Sequence, residues 1–71
     1  MKQYAVIIEH IPDSNYSAYV PDLPGCISTG GTLDEVRHNI RAAIELHLEG
    51  MREDGEPIPE PTTQVEYAEI A

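Results

Sequence analysis

Few side chains in this 71-residue sequence are suited to chemistry: one cysteine, Cys26, and three histidines, His10, His38 and His47. A thiol beside an imidazole would give nucleophilic catalysis, the histidine drawing off the thiol proton. Cys26 instead follows Leu23-Pro24-Gly25 at the junction of a turn and a strand, with no activating motif around it, and is expected to be a small buried hydrophobe. His38 and His47 are spaced to lie half a turn apart around a helix, so they cannot hold one metal ion between them. Gly30-Gly31 lacks the lysine and the fuller glycine pattern of a phosphate-binding loop, and Asp34 and Glu35 put negative charge where an anion would sit. Two-metal hydrolysis needs converging carboxylates. Glu9 falls only at the end of the first predicted strand, and Glu45 and Glu49 fall on the water side of the predicted helix. The expectation is a chain with no catalytic residue, no metal and no cofactor. A role for His47, on the apolar side of that helix, is expected to be structural.

Charge narrows the partners. Thirteen acidic residues stand against four basic ones, for a formal charge of −9. Such a surface repels phosphate backbones, which makes nucleic acid an unexpected partner. From Glu45 onward eight acidic residues face the single Arg52, a net of −7. That concentration suits either a solvated face or a surface that meets a basic protein. The first ten residues have no signal-like apolar stretch, and no apolar run is long enough to span a bilayer, so the expected location is the cytoplasm, with no membrane contact.

The elements that would position these residues can be read in order. Tyr4 to Ile8 is β-rich and nearly continuously apolar, the pattern of an interior strand covered on both faces. Ile11-Pro12-Asp13-Ser14-Asn15 is turn chemistry, and Tyr16 to Val20 alternates as a second strand. Leu23-Pro24-Gly25-Cys26 fits a type II turn with Gly25 at positive φ, leading into a half-polar third strand, Cys26 to Thr29, suited to a sheet edge. Thr32 and Glu35 form a capping box. From there Leu33, Val36, Ile40, Ala43, Ile44, His47, Leu48 and Met51 make one apolar stripe of a helix, which Gly55 and the prolines at 57, 59 and 61 terminate. Val65 to Ile70 then reads as a closing strand. The expected class is α+β, β-β-β-α-β, with a four-stranded mixed sheet of order 3-2-1-4 and one crossover helix on one face.

So small a chain has a marginal core, and without a disulfide or metal the remaining brace is self-association into a dimer or larger homo-oligomer. Leu46, on a helix flank shared with Asn39, Ala42 and Gly50, is the candidate oligomer contact. The strand-helix-strand order also matches part of a ribonuclease H fold, though the carboxylates of that chemistry are not in place.

Three segments together carry a resemblance to a known family. Tyr19-Val20-Pro21-Asp22-Leu23-Pro24-Gly25-Cys26 with Ser28, Gly30 and Thr32-Leu33-Asp34-Glu35 is the first; Asn39 with Ala42-Ala43-Ile44-Glu45 is the second; Asp54-Gly55-Glu56-Pro57-Ile58-Pro59-Glu60-Pro61 is the third. In this order they strongly resemble the HicB-like antitoxins, over essentially the whole chain. The resemblance implies one HicB-like domain over residues 1–71, a partial ribonuclease H-like fold without catalysis. It also implies a basic, mRNA-cleaving HicA-like toxin as partner, whose active-site histidine the antitoxin masks. Within the family the expected form is the short one, without the DNA-binding domain that many members append. On charge, Glu49, Glu53, Asp54 and Glu56 are the candidate toxin contacts, together with Tyr19 and Asp22 beside the signature turn. The alternative is a self-assembling domain of the same family with a structural or small-ligand role and no toxin.

Overall fold

In the computed structural model, which describes residues 2–71, the alternating Tyr16–Tyr19 segment is β2, the central strand of a three-stranded antiparallel sheet. Its neighbours are β1 (Ile7–His10) and β3 (Ile27–Gly30), in the order β1-β2-β3. The registers Ile7↔Tyr19 and Tyr19↔Ile27 tie the three together. Between β1 and β2, Ser14 N–H donates to the Ile11 carbonyl at 3.0 Å, and Asp13 takes φ 61° after Pro12. Between β2 and β3, Cys26 N–H donates to the Leu23 carbonyl at 3.0 Å with Gly25 at φ 82°, which is the type II turn expected of Pro24-Gly25.

Helix α1 (Leu33–Glu53) begins where Thr32 accepts the Glu35 N–H on its hydroxyl at 3.1 Å. The reciprocal half of the capping box differs from expectation: the Glu35 carboxylate meets the Thr32 hydroxyl, not a backbone donor. At the other end Glu56 N–H donates to the Met51 carbonyl and Gly55 N–H to that of Arg52, a Schellman closure with Gly55 at φ 69°. The helix lies over β3 and β2. Its Val36 and Ile40 join Ala18, Val20, Leu23 and Cys26 in the buried core, with Val6, Ile8, Ala43, Ile44 and Leu48 packed around them. Asn39 ties helix to sheet by donating its side-chain amide to the Thr29 carbonyl at 2.8 Å.

Three expectations about strands are corrected. The apolar run from Tyr4 is half-buried throughout, but it pairs only from Ile7, and β1 is an edge strand here, not an interior one. Val20 directs its N–H toward β3, donating to the Cys26 carbonyl at 3.2 Å, so by alternation Pro21 is the next residue whose backbone faces β1. Proline has no N–H to give, and the β1–β2 ladder ends. The third strand is displaced by one residue, to Ile27–Gly30, since the Cys26 backbone is spent on the turn and its closing bond. Val65 to Ile70 forms no strand: residues 54–71 carry no helix or ladder beyond the helix cap, and residues 62–71 are exposed. The sheet therefore has three strands within the described residues, and the fourth position beside β1 is open.

Candidate functional site

The signature segment builds a tight knot at one end of the sheet. Leu23 N–H donates to the Val20 carbonyl at 3.1 Å, and this turn presents the Asp22 carboxylate outward. It accepts four hydrogen bonds: the backbone N–H groups of Thr62 and Thr63 at 3.1 and 3.0 Å, and their two hydroxyls at 3.1 and 2.9 Å. The Thr63 backbone donor is foremost in holding the Asp22 carboxyl below the ordinary Asp pKa; desolvation comes next and opposes it, and the other three Thr donors tip the balance further toward the carboxylate. Upstream, Tyr4 donates its hydroxyl to the Pro59 carbonyl and Lys2 pairs with Glu60. The proline-rich connector is thus strapped across the strand ends and released at Thr63.

A second feature is the sheet face turned away from α1. Ala18 points into the core, so alternation sends Tyr19 and its register partners Ile7 and Ile27 to the opposite face. Tyr19 is 42% and Ile27 69% exposed, giving an apolar row bordered by Glu9, Ser17 and Thr29. Alternation along the third strand carried a signal for Ile27, but its polar neighbours Ser28 and Thr29 drew attention to the edge instead of the face.

The remaining sequence candidates fall on the helix end. Glu49, Glu53, Asp54 and Glu56 are all exposed, the last two within the helix-terminating turn. Leu46 is 71% exposed, and spacings of three and four place it on one helix flank with Glu49 and Glu53. Asn39 is not part of a close-approach stripe beside it, since its amide is committed to β3. Tyr19 and the acidic cluster are therefore separate features, on the open sheet face and on the helix respectively. Asp22 is engaged within the chain.

The groups considered for chemistry are dispersed. Burial raises the Cys26 thiol, which stays protonated at neutral pH. His10 stacks on Tyr16 with ring centroids 4.1 Å apart, His38 is exposed on the helix, and His47 is half-buried. No group of three His, Cys, Asp or Glu side chains among the described residues could hold a metal, and no helix is long and apolar enough to cross a membrane.

Comparison with known proteins agrees with the signature. The family model described as HicB_like antitoxin of bacterial toxin-antitoxin system matches residues 4–70. A 14.9 kDa protein from the rep-hol intergenic region of Haemophilus phage HP1 is 44% identical over 64 residues, 90% of this chain and 47% of the phage protein. The chain thus spans about half the length of that relative. A UPF0150 protein of Synechocystis sp. is 41% identical over 79% of this chain and 71% of its own length. Another, from Archaeoglobus fulgidus, is 43% identical over 76% and 81%.

Proposed function

The chain belongs to the family of HicB-like antitoxins of bacterial toxin-antitoxin systems, and from that premise we propose that it neutralises a basic, RNA-cleaving toxin of the HicA-like kind by direct contact. The family match over residues 4–70 carries this reading. Charge supports it: a protein at −9 attracts a surface built for RNA, and most of that charge lies from Glu45 onward.

The open sheet face offers the desolvating contact, with Tyr19 at the middle of the Ile7–Tyr19–Ile27 row and an aromatic side chain suited to anchor an interface. Glu49, Glu53, Asp54 and Glu56 supply the steering field. Asp22 contributes indirectly, through the connector it holds. The domain is a single unit over residues 1–71, it is not an enzyme, and it acts in the cytoplasm as a homo-oligomer. Neither nucleic acid nor a cofactor enters this function.

The test is co-expression with the short basic product of a neighbouring reading frame, followed by co-purification and an mRNA-cleavage assay. Formation of a stable complex with loss of cleavage supports neutralisation. A toxin that neither co-purifies nor loses activity overturns it and favours the self-assembling domain without a toxin.

A further inference from the structure

An open groove of about 1090 Å³ runs between β1 and α1, lined by Tyr4, Val6 and Ile8 on one side and by Ile40 and Ile44 on the other. Three of the four basic residues of the chain, Lys2, Arg37 and Arg41, border it. Lys2 is engaged by Glu60 and Arg37 lies 3.6 Å from Asp34, whereas Arg41 has no ion-pair partner among the described residues. The strand edge beside the groove is unpaired among the described residues, where β1 has β2 as its one neighbour. Ile7 and Glu9 face β2 through Tyr19 and Ser17, so Val6 and Ile8 direct their N–H and C=O groups at the empty edge. A free edge above an apolar groove is a template for one more strand.

Segment 64–71 has the matching properties. It lies outside any helix or ladder and exposes Tyr67 at 93% and Ile70 at 86%. Val65 and Tyr67 share one face of an extended chain while Ala68 and Ile70 share the other, the two-sided apolar content that an inserted strand needs. Its charges, Glu66 and Glu69, oppose those of Lys2, Arg37 and Arg41, which outnumber the one acidic residue of the groove lining, Glu45, and the segment carries no basic residue. Eight extended residues reach about 26 Å, enough to run the length of the β1 edge. Its own groove is not its seat. The Asp22 latch fixes Thr62 and Thr63 at the far side of β1, on the loop that follows β2, and the segment departs from there.

We propose that segment 64–71 of one copy lies along the β1 edge of a second copy, between β1 and α1, and that the exchange is reciprocal. Each sheet thereby gains its fourth strand, beside β1, from the other protomer. The proposal rests on the self-association put forward above and is independent of any toxin.

Sedimentation of the full chain at micromolar concentration tests it. Tyr67→Pro/Ala68→Pro removes one N–H of each orientation from a segment that makes no ladder in its own protomer, so each copy keeps its fold, as circular dichroism will report. The expected result is a dimer for the parent and a rise of about tenfold or more in dissociation constant for the variant. Arg37→Glu/Arg41→Glu and Glu66→Arg/Glu69→Arg should each associate weakly alone, and their mixture should recover a one-to-one dimer, since each tail then meets an opposite groove. A monomeric parent overturns self-association and the exchange together. A dimeric parent whose variants keep parental affinity overturns the exchange alone, as does a mixture of the charge variants that fails to associate.

Discussion

Asp22 shows how a residue in a recognition signature can serve the fold first. Its lowered pKa means that the carboxylate form is favoured by the folded connector, so the latch is fully present above the ordinary Asp value of 3.8 and is lost as pH falls through the lower folded value. Hydrogen exchange corrected for intrinsic rates should show Thr62 and Thr63 amides protected at neutral pH, and unprotected in Asp22→Asn or in the parent at sufficiently acid pH. Gly30 is a second such residue. A Cβ there would stand 2.6 Å from the Val36 backbone nitrogen, because the end of β3 presses against the first turn of α1. Gly30→Ala should therefore destabilise by about 1–3 kcal/mol. Gly50→Ala, whose Cβ meets nothing within 4 Å, should stabilise the helix by about 0.5–1 kcal/mol. Thermal melts of both variants check the opposite signs. Asp22 was legible as a turn residue. Its four bonds were not, because they join positions forty residues apart and no local pattern records them.

Among the elements, the type II turn and the helix were the most legible, since each is specified by chemistry within a few residues. Pro24 sets φ at one turn position and Gly25 supplies φ 82° at the next. Gly25→Val should cost about 1–3 kcal/mol from strain at positive φ, which for a domain of this size lowers the melting temperature by roughly 4–8 °C per kcal/mol. A melt unchanged from the parent would contradict the turn. The helix kept its expected start at Thr32 and its stop before Gly55, and the Val36–Ile40 part of its stripe is the part that reaches the core. Leu33, at 36% exposure, lies too near the end to be covered. Strands were less legible, because the apolar run at Tyr4–Ile8 reports which surfaces are dry but not which backbone groups pair. Pro21, two residues beyond the end of the next strand, decides where that ladder stops.

For the whole molecule, association by charge is the property most open to measurement. Under the proposed function, replacing Glu49, Glu53, Asp54 and Glu56 with the neutral amides should slow association with the toxin and flatten its salt dependence, because exposed charges act over about 8 Å at physiological ionic strength. Stopped-flow mixing from low to high salt reads both quantities, and parental rates at every salt would move the contact to the Tyr19 face. Composition and order of residues by themselves determined the acidic surface, the α+β class, the signature turn, both helix ends and the family, since each depends on local spacing or on a simple sum of charges. Only the tertiary structure decided that β1 is an edge, that Val65–Ile70 is not a strand of its own sheet, and that Lys2, Arg37 and Arg41 border one groove. A strand exists only where a neighbour offers its hydrogen bonds, and a groove only where distant segments leave space between them. Both are non-local conditions that the run of side chains along the chain does not contain.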